Sequence, residues 1–203
     1  MGQELNCKLR LGKKTGLGKV LLESQELIVR ADALRLKIPF REMRSVEAAD
    51  GWLRVDFAGS AAAFELGPQA VKWADKIKNP KSLLDKLGVK PGSRVSLAGV
   101  FEEKFLADLR ARTDSVVTDT LAPDSDLIFL SADSDRDLGR LPALRKSIQP
   151  AGAVWVVYPK GQKHITESGV FAAGKKAGLV DVKVASYSST HTALKFVIPV
   201  DRR

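Results

Sequence analysis

The chain has 203 residues, 44% hydrophobic and 28% charged, with a net charge of +9. That is an ordinary globular composition, and the length suits two domains of roughly 80 and 120 residues. No apolar run approaches the ~18 residues a membrane span needs. The single cysteine, Cys7, excludes an internal disulfide or a thiolate metal cluster, and two histidines, His164 and His191, leave a metal site short of ligands, so none is expected. The charge excess is divided, with 14 basic against 10 acidic residues over 1–80 and 19 against 14 over 81–203. It therefore marks no basic stripe, and no specific nucleic-acid partner is expected.

The first residues, Met1 to Asn6, have neither the basic region nor the apolar stretch of a signal peptide. Gly2 lacks the Ser or Thr that myristoylation wants at the position of Asn6. The expected compartment is the bacterial cytoplasm.

Residues 5–66 read as seven short strands, near 5–11, 17–23, 26–30, 34–40, 44–49, 52–57 and 61–66. Leu34, Leu36, Ile38 and Phe40 alternate with Arg35, Lys37, Pro39 and Arg41, the signature of a half-buried strand. Asp50-Gly51 and Ala58-Gly59-Ser60 are hairpin signals. After Gly67-Pro68, Ala70, Trp73, Ala74 and Ile77 fall at the spacing of one helix face. Seven strands closed by an amphipathic helix resembles, by element order alone, a pleckstrin-homology-like barrel. Asn79 then reads as the N-cap of a short helix through Leu83, Leu84 and Leu87 that stops at Gly88. The expected division is a barrel domain over 1–79 and a second domain over 80–203.

From Val89 the rhythm becomes strand and helix in alternation. Arg94 to Ala98, Ser115 to Thr118, Asp126 to Leu130 and Gly152 to Tyr158 read as parallel strands, the last two apolar enough for burial on both faces. Helices lie between them, one carrying Leu138, Leu141, Leu144 and Ile148 with a kink expected at Pro142, and one capped by Thr166 and stopped at Gly178. Two closing strands, about 181–188 and 191–199, form a hairpin. Right-handed crossovers then predict a spatial order of 2-1-3-4-6-5, a Rossmann-like mixed sheet of class I methyltransferase layout with one βα unit fewer.

Within this half, Lys86-Leu87-Gly88-Val89-Lys90-Pro91-Gly92, Ser125-Asp126-Leu127-Ile128, Ala153-Val154-Trp155-Val156, Tyr158-Pro159-Lys160, Ala177 to Lys183 and Leu194-Lys195-Phe196-Val197 resemble a bacterial family known as a domain of unknown function. The resemblance implies a Rossmann-like domain and no activity.

Methyltransferases place a glycine-rich turn after the first strand, where backbone must approach the cofactor closely, and an acid at the end of the second. Here the loop reads Ala98-Gly99-Val100-Phe101-Glu102-Glu103, with one glycine. Phe101 and the two glutamates read as closing the site and satisfying the helix start. Cofactor contacts, if any, fall to Gly99, Asp119 and Tyr158, and no bound cofactor is expected. Strand ends also bring Ser131, Asp133, Lys160 and His164 to the crevice, where Tyr158, Lys160, Lys163 and His164 beside Asp133 could hold an anion. Lys13, Lys14 and Lys19 surround the first hairpin, but lipid headgroup contact is not expected there. The resulting expectation is a non-enzymatic binding or assembly module, meeting a protein partner or itself through an anchor such as Trp52. The alternative is a divergent S-adenosylmethionine-dependent methyltransferase or nucleotide-binding enzyme.

Overall fold

The computed structural model describes residues 3–31, 34–118 and 120–203. The chain divides into two compact units, 1–81 and 82–203.

The first unit is one antiparallel sheet. Strands β1 (Gln3–Leu11), β2 (Lys14–Leu22), β3 (Glu26–Ala31), β4 (Leu34–Pro39), β5 (Met43–Ala49), β6 (Trp52–Phe57) and β7 (Ser60–Glu65) lie in the order β4-β3-β2-β1-β7-β6-β5. The first hairpin is tighter than its glycines suggested: Leu11 pairs with Lys14, so Lys14 already opens β2. Asp50 and Gly51 both take positive φ (53° and 78°) between the paired Ala49 and Trp52, the geometry of a type I′ turn. Helix α1 (Gln69–Lys78) buries Ala70, Trp73, Ala74 and Ile77, the expected face. Trp73 is wholly buried in a single core with Val20, Leu27, Ile38, Leu53 and Phe64, drawn from five strands of the curled sheet.

Asn79 does not open the next helix. It ends α1, its side-chain amide donating to Asp75 Oδ1 at 2.9 Å. Helix α2 (Leu83–Leu87) starts instead at Ser82, whose hydroxyl accepts from the Asp85 amide while the Asp85 carboxylate accepts from the Ser82 amide. This reciprocal pair satisfies two orphan donors at once, which a Pro80 start could not.

The second unit is a mixed sheet of β8 (Val95–Ala98), β9 (Val116–Val117), β10 (Ser125–Ser131), β11 (Ile148–Pro159), β12 (Val180–Ser186) and β13 (His191–Val197), ordered β12-β13-β11-β10-β8-β9. Numbered within the unit and read from β9, this is the expected 2-1-3-4-6-5. β8 to β11 run parallel; β13 is antiparallel to β11 and to β12. Alternate residues feed two cores. Val95, Leu97, Phe129 and Trp155 pack with α2 and with Phe105 and Leu109 of α3 (Glu103–Arg112). Ile128, Leu130, Val154 and Val156 pack with α4 (Asp135–Leu138), α5 (Leu141–Ser147) and α6 (Glu167–Lys176). The break between α4 and α5 falls at Gly139-Arg140; Pro142 sits in the first turn of α5, where its missing N–H costs nothing, so it kinks no helix. Trp155 Nε1 donates to the Leu87 carbonyl at 2.9 Å, tying α2 to the sheet.

Candidate functional site

The helices on either side of the first parallel strand lie on opposite faces. α3, which connects β8 to β9, belongs to one core, while α4 and α5, which connect β10 to β11, belong to the other. The sheet therefore has a switch point between β8 and β10, the place where open α/β sheets leave a crevice at the strand carboxyl ends.

Gly99 and Ser131 meet there. Leu130 pairs with Ala98, so the next residues emerge side by side. Gly99 has φ +109°, and a Cβ on it would lie 3.1 Å from both Cβ and O of Ser131. A side chain at this position would meet strain and backbone together, so glycine is required by the turn itself. Val100 follows, 88% exposed.

Phe101 does not reach across the crevice. Its ring lies 5.5 Å from that of Phe105 and 6.5 Å from that of Phe129, on the α3 face of the sheet. Glu102 stands at the N-cap of α3, but its side chain accepts no hydrogen bond from the helix. The expectation that these residues close the site and satisfy the helix start is thus corrected: Phe101 anchors the loop into the core, and the Glu102 carboxylate remains exposed.

Of the other expected residues, Asp119 lies outside the described residues, as does Gly2. Tyr158, the last residue but one of β11, is buried in the core on the α6 side; burial, with Glu167 adding to it, pushes its hydroxyl up to about 12. Asp133 is exposed, its amide donating to Asp137 Oδ2 at 3.1 Å. Lys160 and His164 are not brought together. Lys160 Nζ donates to the Ser188 carbonyl at 2.7 Å and to Ser186 Oγ at 3.3 Å, clasping the β12–β13 turn, while His164 is exposed without a hydrogen bond among the described residues. In this structure the hydrogen-bond partners of Lys160 are thus groups of the β12–β13 turn.

Sequence reasoning missed Tyr187. It follows β12, packs its ring 5.2 Å from Phe105 and 6.4 Å from His191, and buries its hydroxyl without a hydrogen-bond partner. Burial, with the Glu102 carboxylate adding to it, raises its pKa well above the ordinary tyrosine value, so the hydroxyl stays protonated.

In the first unit, Lys13 and Lys14 are exposed at the hairpin, and Lys19 pairs with Glu4 at 2.5 Å. Trp52 is covered by the Arg10 guanidinium, 4.9 Å from its ring centroid. A cavity of about 680 Å³ is lined by Cys7, Lys19, Arg30 and Glu65, and burial together with Glu65 holds the Cys7 thiol above its usual pKa. Among the described residues no cluster of His, Cys, Asp and Glu could hold a metal, and no helix is long and apolar enough to cross a membrane.

No family model matches the chain, and no curated protein matches it. Among solved structures it is similar to a SAM-dependent methyltransferase from Aquifex aeolicus, at 15% identity over 62% of this chain and 93% of that one, with a TM-score of 0.49. A methyltransferase from Pyrococcus furiosus gives 15% identity over 56% and 78%, with a TM-score of 0.39. Magnesium protoporphyrin IX methyltransferase from Synechocystis PCC 6803, solved with bound SAM, gives 12% over 58% and 74%, with a TM-score of 0.41. The expected non-enzymatic binding or assembly module has no counterpart among these neighbours, which are methyltransferases, as the alternative expectation had it; at such identities the likeness is one of layout.

Proposed function

We propose that the second unit is a Rossmann-like, divergent methyltransferase domain that takes S-adenosylmethionine at its switch point, carried by a first unit of pleckstrin-homology-like form. The observation that carries this is the left-handed turn at Gly99, fitted so closely against Ser131 that a Cβ would lie 3.1 Å from it. It brings bare backbone to the carboxyl ends of β8 and β10, where a nucleoside can be approached closely.

The side chains around that turn favour this ligand over a nucleotide. Glu102 and Glu103 follow the Gly99 turn, and Asp133 and Asp135 follow β10, so four carboxylates stand just beyond the ends of these two strands. Carboxylates repel phosphates and attract a sulfonium or ammonium group. When bound, S-adenosylmethionine supplies an activated methyl group on its sulfonium. The protein's part is to admit the ligand past Gly99, to face its positive charge with Glu102, and to hold Tyr158 and Tyr187 as neutral hydroxyls.

Isothermal titration with S-adenosylmethionine and S-adenosylhomocysteine tests the reading. The wild type is expected to bind both in the micromolar range, with binding lost in Gly99→Val. Because Gly99→Val strains the backbone, Glu102→Lys at an exposed position serves as the second variant: it should melt like the wild type and bind S-adenosylmethionine about tenfold more weakly. Wild-type protein that binds neither compound contradicts the proposal.

A further inference from the structure

Lys183 and Lys195 face each other across β12 and β13, in a row that runs Phe129, Trp155, Lys195, Lys183 across the middle of the sheet. Cross-strand partners share a face, and Phe129 and Trp155 belong to the core beneath α2 and α3, so both lysines lie on that face. Lys86 of α2 comes to the same place, its carbonyl accepting from Lys183 Nζ at 2.7 Å. Lys183 is exposed, and the other two are half-buried. Desolvation, with the Lys183 charge adding to it, lowers the Lys195 ammonium below the usual lysine range, and burial does the same to Lys86. Like charges directly opposite each other in a sheet are destabilising. Yet no ion pair of the described residues includes any of the three.

The carboxylates that could balance them are held elsewhere. Asp85, beside Lys86 in sequence, accepts from Ser82 Oγ at 2.6 Å and from Arg112 Nη1 at 2.8 Å. Asp181 stands two residues before Lys183, a spacing that puts both side chains on one face of a regular strand. β12 departs from that regularity: its register shifts between Asp181 and Lys183, and Val182 is the extra residue. Asp181 therefore pairs with Phe196, which belongs to the core on the α6 side, while Lys183 pairs with Lys195. The bulge sends the acid to the opposite face and leaves the lysines unbalanced. Re-aiming a side chain is a recurrent use of bulges beside functional sites.

We propose that Lys86, Lys183 and Lys195 form a binding site for a dianionic phosphate group on the α2 side of the β12 edge, separate from the crevice at the strand carboxyl ends. Ammonium groups bind phosphate as point charges with several donors each, and two facing lysines match its two negative charges. A monoanion such as acetate would balance one lysine and leave the other in repulsion. Because β12 pairs with β13 alone, the site is open along its outer side to a phosphate carried on a larger molecule as well as to the free anion.

The test is amide chemical-shift mapping of the full chain with inorganic phosphate, O-phosphoserine and acetate, at matched ionic strength and mildly alkaline pH. Phosphate should give saturable shifts at Lys86, Leu87, Lys183 and Lys195 at concentrations where acetate gives none. O-phosphoserine that binds at least as well identifies a phosphate carried on another molecule; O-phosphoserine that is excluded identifies the free anion. Lys195→Gln should weaken phosphate about tenfold, and Lys195→Arg should retain it. Lys183→Gln, at the exposed position, should weaken it similarly without lowering the melting temperature, because one of two facing charges is removed. Asp181→Asn should bind as the wild type does, its carboxylate being on the other face. Acetate shifts that match those of phosphate, or wild-type binding by Lys195→Gln and Lys183→Gln, overturn the site. Tighter phosphate binding by Asp181→Asn overturns the role given to the bulge. S-adenosylmethionine binding has no part in these outcomes, so the two proposals stand or fall separately.

Discussion

The two ends of the parallel strands in the second unit are built differently. At the amino end Ser96 Oγ and Ser125 Oγ lie 2.9 Å apart, the Ser125 hydroxyl donates to the Ala122 carbonyl at 2.7 Å, and the Ala122 amide donates back to Ser96 at 3.0 Å. These three groups partner one another within the chain. At the carboxyl end Gly99 is held in a left-handed turn, Val100 is exposed, the Glu102 side chain caps nothing and the Tyr187 hydroxyl is alone. The three polar groups of the amino end are bonded within the chain, while at the carboxyl end the Glu102 side chain caps no helix and the Tyr187 hydroxyl has no partner among the described residues. That division is what separates a stabilising end from a binding end in open α/β sheets.

Substitutions should fall on the two sides of this division with different costs. The largest effect is expected in the body of the fold. Gly174 packs so closely on β13 that an added Cβ would lie within the Phe196 ring contact distance, with no room on the α6 face. Gly174→Ala should cost about 3 kcal/mol or more in urea unfolding, with no selective effect on ligand binding beyond the loss of folded protein. Ser125→Ala comes next, at about 1–2 kcal/mol, because it removes one partner of a buried network and leaves Ser96 less well bonded. Gly99→Ala at the carboxyl end should cost about 1 kcal/mol, from the left-handed backbone and the Ser131 contact, yet should weaken S-adenosylmethionine binding more than either of the other two. If Gly174→Ala and Gly99→Ala affect binding equally after correction for folding, the division fails.

The smallest effect is at α2. Ser82 and then Arg112 hold the Asp85 carboxyl at about 2, with Ser82 Oγ at 2.6 Å and Arg112 Nη1 at 2.8 Å. The folded value lies below the ordinary one, so the contribution is present above the usual carboxylate range. It is lost as pH falls from about 4 toward about 2. Asp85→Asn should flatten that part of the acid-unfolding curve and leave the neutral region nearly unchanged. The tyrosines offer an alkaline counterpart. With Tyr158 held up to about 12 and Tyr187 raised further, the tyrosinate absorbance of the folded protein should stay flat through about pH 10, where an exposed tyrosine is half ionised.

Much of the fold was legible in the residues because its signals were periodic or local. Ala70, Trp73, Ala74 and Ile77 mark one face of a helix whatever surrounds them, and Asp50-Gly51 specifies its own turn. The strand order of the second sheet followed from parallel crossovers and a closing hairpin. Competition between equivalent signals was harder to read: Asn79-Pro80 and Ser82 are both acceptable helix starts, and Asp85, three residues beyond Ser82, decides between them by completing the reciprocal pair. Gly139 and Pro142 compete in the same way, and the break goes to the glycine. The site was less legible still. Gly99 carries a sequence signal, a lone glycine after a strand, but its fit against Ser131 depends on the β8–β10 register. Lys160 looked available until the turn carbonyls of Ser188 and Ser189 came within reach. Nothing local marks Tyr187, whose ring packs on Phe105 from a helix far away in sequence.

The most direct test of a ligand crevice at the switch point is amide chemical-shift mapping of the full chain during titration with S-adenosylmethionine. The perturbed amides should center on Gly99, Val100, Ser131 and Tyr187, with β1 to β7 unaffected. Perturbations confined to residues 3–65, or no saturable shift anywhere, would contradict the account.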